Sequence, residues 1–244
     1  MPVSSNKSNR ELLVQSSTFP AERLSKLLAI PGIYHPHGHF EYPISEAGQA
    51  GNHLDALFFM EPIVQEQIHI DWIVEDLNNW MTARNISCDL IFAPAQPAVQ
   101  TIVDKLASVT GLSTAYWQCH ASGWFGDKLV SGKIQSGSKA LVFNAVSHTG
   151  RCVGERLPDF LESYGAKVVA AAAFAIGTTN GATKAKQRYG QNLYSAITVP
   201  LNLYPPAICP MCIAAKESPE NKIELQPWTV IRDLVLQNLH KEPK

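Results

Sequence analysis

No apolar run in this chain approaches the roughly 20 residues that a membrane-spanning helix needs. Its first residues, MPVSSNKSNRELL, lack the apolar stretch of a secretory leader. A cytoplasmic protein with no membrane partner is therefore expected. Charge of one sign is missing as well, since 20 lysines and arginines face 21 aspartates and glutamates for a net charge of −1. No global field points to nucleic acid, which leaves small molecules and proteins as the expected partners. Cysteine is scarce: Cys88, Cys119, Cys152, Cys209 and Cys212 are an odd number spread over 244 residues. That excludes the dense disulfide framework of a small secreted domain and makes reduced thiols the expectation.

What is present is ample core material, 45% apolar over 244 residues, enough for one large α/β domain. Glu11 to Leu28 reads as a helix before the Pro31-Gly32 break. The following IYHPHGHFEYPISEAGQAGNHLDALFFMEP mixes aromatics with glycine and proline and reads as short strands and turns. Ile73, Leu77, Trp80 and Met81 then lay one apolar stripe along a helix within 63–84. From there a rhythm begins. CDLIFAPA, STAYWQC, ALVFNAV and AKVVAAAAFAI read as buried strands, with helical spacing between the first two and from Cys152 to Tyr164. Pro158 should kink that last helix or delay its start. Strands alternating with helices predict an α/β fold with a central, mostly parallel sheet flanked by helices. The expected division is an N-terminal arm and hood over 1–62, the α/β core over 63–205 and a tail over 206–244.

Ligands of such sheets sit beyond the carboxyl ends of the strands. This places 93–99, 118–128, 144–151 and 175–181 on one rim. Within it, Ser147-His148-Thr149-Gly150-Arg151 joins two hydroxyls, a glycine and a cation at a helix start, where backbone N–H groups suit an anion such as a phosphate. The same turn can equally be a simple strand-to-helix connection capped by Ser147 or Thr149.

In order and spacing these pieces resemble the type I phosphoribosyltransferases, and the orotate phosphoribosyltransferases in particular, over roughly Gly38 to Cys212. The resemblance rests on GHFEYPISEAGQAGNHLDALFFMEPI, DLIFAPAQPAV, GDKLVSGK with ALVFNAVSHTG, and the tail YPPAICPMC, similar to the Cys-Pro-x-Cys of some members. It implies the phosphoribosyltransferase type I fold with a small N-terminal hood, a ligand that is a phosphorylated ribose or nucleotide, and a homodimer. Asn144, Ser147, His148, Thr149, Gly150 and Arg151 would then bind phosphate and ribose, and Ala95, Gln96, Pro97 and Ala98 would form the pyrophosphate loop.

Several positions depart from the family pattern. Its two adjacent acids, which bind the ribose hydroxyls, are Asn144 and Ala145 here. Its loop glycines are Pro97 and Ala98, and proline offers no N–H. The arginine that would meet the orotate carboxylate is Ile176. The resemblance thus implies an orotate phosphoribosyltransferase-like protein with a degenerate site, binding its ligand without efficient orotate turnover. One alternative is an active transferase with another acceptor, magnesium riding on the diphosphate and Asp127, Lys128 and His120 as candidate catalytic groups, with Asp55 a further acid. A second is a protein-interaction module whose pocket is filled, by Trp124 and the Pro97 loop. No cofactor is assigned beyond that magnesium.

No metal is assigned either. Cys209 and Cys212 can form half of a zinc site, a redox pair or two ordinary thiols, and a zinc site would need partners such as Cys88, Cys119 or a histidine. His35, His37 and His39 alternate and on a regular strand would share a face, though Pro36 and Gly38 disturb it. Lys184, Lys186 and Arg188 form a small basic patch, read first as solvated charge.

Overall fold

A computed structural model describes residues 13–14, 19–42, 51–120, 123, 125–218, 220 and 223–239. The alternating segments build one seven-stranded sheet. Its strands are β1 (Leu13–Val14), β6 (Leu90–Pro94), β7 (Ser113–Cys119), β8 (Phe125–Gly132), β9 (Lys139–Ser147), β10 (Lys167–Gly177) and β11 (Leu193–Val199), in the order β1-β11-β10-β9-β6-β7-β8. The five inner strands run parallel, and β1 and β8 close the edges antiparallel.

Both faces of the sheet are buried, which is why its strands are almost continuously apolar. Along β9 and β10, Leu141, Phe143, Ala172 and Phe174 belong to one core, and Ala140, Val142, Ala171 and Ala173 to the other. This is the period of two that a strand imposes. The first core is shared with α1 (Ala21–Leu28), α2 (Gln67–Ala83) and α3 (Pro97–Thr110). The second lies under α4 (Leu157–Ser163).

Two small sheets complete the hood. Strands β2 (Tyr34–His35) and β5 (Leu57–Phe58) pair antiparallel. The other sheet has the order β12 (Leu203–Tyr204), β4 (His53–Leu54), β3 (Phe40–Glu41), β13 (Gln226–Pro227). Chain from the N-terminal third and from the tail is therefore hydrogen-bonded in one sheet. Helix α5 is Asn180–Tyr189, α6 is Pro210–Glu217 and α7 is Trp228–Leu239, with Ile231 and Val235 buried. Among the described residues, no helix is long and apolar enough to cross a membrane.

Two expectations are corrected, and a third, that Pro158 disturbs or delays the helix after β9, is met. The helix predicted over 11–28 begins only at Ala21, and Leu13–Val14 instead pairs with β11. The residue before a proline disfavours helical backbone, so Pro20 sets the start. The stretch placed on the rim, 118–128, lies only partly there: from Phe125 it is β8, which folds back on β7, and Trp117 Nε1–H donates to the Gly126 carbonyl at 2.8 Å. The helix after β9 opens with a π-helical turn, Cys152–Arg156, and becomes α-helical only at Leu157, so Pro158, which has no N–H to carry the ladder back into the preceding turn, marks the change, and the Gly154 carbonyl accepts from Arg188 at 3.2 Å.

Candidate functional site

The chain runs from β6 outward to β7, then returns to place β9 on the other side of β6. A crevice opens at such a reversal. The β6–β9 ladder ends at Phe92–Val142, before Pro94, which has no N–H to extend it. Beyond that point lies a cavity of about 460 Å³. Its floor comes from the ends of the two strands: Ala95 to Val99 on one side, Asn144, Ala145, Val146, His148 and Cys152 on the other. Tyr42, Phe58, Phe59 and Met60 from the hood and Trp228, Arg232 and Leu236 from α7 form the opposite wall.

Asn144 is 5% exposed, and its Oδ1 is buried with no hydrogen-bond partner. Ser147 Oγ is in the same state. Both side chains flank the Cys152 thiol, which burial holds above the usual cysteine range. Cys119, bonded by Gln96 Nε2 at 3.1 Å, is pushed up to about 12 by burial. Neither thiol is a ready nucleophile, since the thiolate is the reactive form.

The residues of the predicted phosphate turn face two ways. His148 points inward: its Nε2 accepts the Phe58 N–H at 3.0 Å, its ring meets Tyr42 edge-on, and burial depresses its pKa to about 4. It is neutral and supplies no charge. Thr149 and Gly150 pack on the start of α5, where the Thr149 carbonyl accepts from Thr179 Oγ1 at 2.5 Å. A Cβ on Gly150, at φ 71°, would lie 2.1 Å from the Ala182 nitrogen, so only glycine fits. Arg151 is exposed, paired with Glu155 at 3.0 Å, and does not line the cavity.

The predicted pyrophosphate loop does line the cavity, with its donors largely spent. Ala95 N–H bonds the Trp117 carbonyl at 2.7 Å, Gln96 N–H bonds that of Pro94 at 2.8 Å, and Pro97 has none. Helix α3 starts here without a side-chain cap, which leaves the amides of Ala98 and Val99 beyond the reach of helix acceptors.

The candidate catalytic groups do not converge. His120 is exposed at the cavity mouth, while Asp127 and Lys128 are exposed on β8 and line no part of it. Asp55 bonds the Asn202 amide and side chain at 2.7 and 2.6 Å. Trp124 lies outside the described residues. Ile176, at the position of the expected carboxylate-binding arginine, is 5% exposed. The basic patch resolves into ion pairs, Lys184 with Glu155 at 3.0 Å and Arg188 with Glu162, and Lys186 lines a separate hollow of about 350 Å³.

The histidine trio is broken up: His35 bonds the Gly32 carbonyl at 3.1 Å, His37 sits at φ 57°, and only His39 turns into the interior. There it meets His53, Cys209 and Cys212. Sequence spacing missed the α7 contributors Trp228 and Arg232, because 84 residues separate Asn144 from Trp228 and only the tail's pairing with β3 brings them together. The one available signal was the amphipathic pattern of TVIRDLVLQNL.

No family model and no curated protein matches the sequence. Solved structures do match in shape. The orotate phosphoribosyltransferase of Aeropyrum pernix superposes with a TM-score of 0.51 at 14% identity, covering 74% of this chain and 92% of that one. The adenine phosphoribosyltransferase of Thermoanaerobacter pseudethanolicus gives 0.51 at 14% identity, covering 72% and 99%. The UMP synthase of Leishmania donovani gives 0.52 at 15% identity, with 74% of this chain matched to 37% of that protein. The chain has the phosphoribosyltransferase type I fold, as the resemblance of its motifs implied.

Proposed function

We propose that this chain binds a phosphorylated ribose compound, of the nucleoside monophosphate or phosphoribosyl pyrophosphate class, in the crevice between β6 and β9, without efficiently transferring the phosphoribosyl group. The observation that carries the reading is the unpartnered Oδ1 of Asn144, buried in the wall of an aromatic-lined cavity. A buried acceptor left without a donor costs about 1–3 kcal/mol, which a ligand hydroxyl would recover. Ribose offers such donors. Phe58, Phe59, Tyr42 and Trp228 give a base its apolar surroundings, and the Ala98 and Val99 amides at the start of α3 supply positive potential for a phosphate.

Transfer asks for more than binding. A departing pyrophosphate needs preorganised donors, and loss of even one typically costs about 2.7–4 kcal/mol. Here the loop amides of Ala95 and Gln96 are already bonded and Asn144-Ala145 offers no carboxylate to a magnesium ion. Asp127 and Lys128, on which the active alternative depends, stand outside the cavity. The filled-pocket alternative turns on Trp124, which lies outside the described residues.

Thermal unfolding with orotidine and other nucleoside monophosphates, phosphoribosyl pyrophosphate with magnesium, and inorganic phosphate tests the reading. A ligand at 100 times its dissociation constant adds about 2.7 kcal/mol, roughly 5–10 °C for a chain of this size. Ribose phosphates are expected to stabilise beyond phosphate alone, without pyrophosphate release. Asn144→Ala is expected to remove the difference between ribose phosphate and phosphate. Pyrophosphate release with any acceptor, or no shift with any compound, would overturn the reading. The same reading carries the expected homodimer, which sedimentation of the purified chain checks.

A further inference from the structure

Four side chains that the crevice does not use converge between hood and tail. His39 precedes β3 and His53 opens β4, while Cys209 and Cys212 flank the start of α6. One ligand-capable atom from each lies within 4.8 Å of all the others. His39 Nε2 stands 2.9 Å from His53 Nδ1 and 3.5 Å from both Cys209 Sγ and Cys212 Sγ, and Cys212 Sγ is 3.3 Å from His53 Nδ1. His39, His53 and Cys209 are buried and Cys212 is half-buried.

Hydrogen bonding alone does not account for this arrangement. The Ile223 carbonyl lies 3.0 Å from His39 Nδ1 and can only accept, so Nδ1 carries the proton and Nε2 presents a single in-plane lone pair. That lone pair faces three partners at once. A cation among the four atoms satisfies them all together. Donors held by a tetrahedral zinc at about 2.3 Å for sulfur and 2.0–2.1 Å for nitrogen stand about 3.3–3.8 Å apart, close to the spacings here. Two thiolates and two imidazoles are the donor set that suits zinc, and four protein ligands leave no open position for catalysis. The Nδ1–H to carbonyl bond is the outer contact that orients a metal-bound histidine.

We propose that His39, His53, Cys209 and Cys212 bind one zinc ion, which fastens the tail to the hood. The tail supplies both thiolates and the Ile223 carbonyl; the hood supplies both imidazoles. The fastening has a consequence for the crevice. Helix α7, which brings Trp228, Arg232 and Leu236 to its wall, follows directly from the segment so held. The metal is structural and does not depend on what the crevice binds.

The test uses the full chain, purified with reductant and without added metal or chelator. Elemental analysis is expected to find one equivalent of zinc per chain. Reconstitution with cobalt is expected to give the ligand-field bands of a tetrahedral site and a thiolate-to-cobalt charge-transfer band. Cys209→Ser with Cys212→Ser should abolish both, and Cys88→Ser with Cys119→Ser should leave them unchanged. Since the first pair of substitutions also disturbs packing, a strong chelator applied to the wild type is the second arm. It should raise hydrogen exchange across α6 and α7, and restored zinc should reverse the rise. Substoichiometric zinc together with no tetrahedral cobalt spectrum would overturn the proposal. So would unchanged exchange in the tail after the metal is removed.

Discussion

Gly177→Ala is expected to destabilise the protein by roughly 4 kcal/mol or more, at the upper end for a single methyl group. Gly177 ends β10, where Ile176 pairs with Ser147 of β9 and Gly177 itself with Val199 of β11. A Cβ built there lies 1.8 Å from the His148 carbonyl oxygen and 3.0 Å from Leu201. The obstacle is backbone, so no side-chain rotation relieves it. Either β10 leaves its ladder or the turn after β9 moves, and that turn holds His148 in the crevice wall. Gly111→Ala is the matched control: its backbone is left-handed, φ 72° and ψ 10°, but nothing lies within 4 Å of the new methyl, so only the left-handed backbone opposes it, at about 1–2 kcal/mol. Urea unfolding of the two variants separates clash from strain. Equal losses would mean that the turn after β9 is not packed against β10 as described, and the cavity drawn from it would fall too.

How much of this was legible in the sequence follows from range. The buried strands and α3 announced themselves through local periodicity, because a strand covered on both faces must be apolar throughout and a helix must repeat near 3.6. The crevice was legible as a place, since strand ends at a reversal of strand order gather loops whatever their sequence. Its chemistry was less so. Ser147 to Arg151 reads as one anion-binding unit, yet alternate residues of a turn face opposite ways, and Gly150 and Arg151 are committed to α5 and Glu155. Ala95 and Gln96 read as donors, but whether an amide is free depends on Trp117, a neighbour across the sheet. His39 and Cys212 are 173 residues apart, a relation that no window along the chain contains. Alternation suggested His35 and His37 as the partners of His39, but the left-handed backbone at His37 breaks the strand on which that face depends.

A pH series should show His148 directly. Its pKa falls from 6.5 to about 4 because burial penalises the imidazolium, and the Phe58 N–H, aimed at Nε2, allows only the neutral ring. Above pH 6.5 the imidazole is neutral whether the chain is folded or not, and the group adds no pH dependence. Between 6.5 and about 4 the unfolded chain takes up a proton that the native state refuses, so stability falls as pH falls. Below about 4 the native state protonates as well and the loss stops growing. At about 1.4 kcal/mol per pH unit the whole loss is about 3 kcal/mol. His35, also lowered by burial, contributes to the same slope, so the measurement is a comparison of variants. His148→Gln keeps an acceptor for Phe58 and cannot titrate; its stability should fall less steeply between pH 6.5 and 4 than that of the wild type. His148→Leu should lose the same slope and also about 1–3 kcal/mol at every pH, because the Phe58 N–H is left without an acceptor. Parallel curves for wild type and His148→Gln would show that the imidazole reaches water in the native state. A charged His148 would then be available to a phosphate at mildly acid pH, and ribose phosphate binding would strengthen there; a buried, neutral ring predicts binding that does not follow its titration.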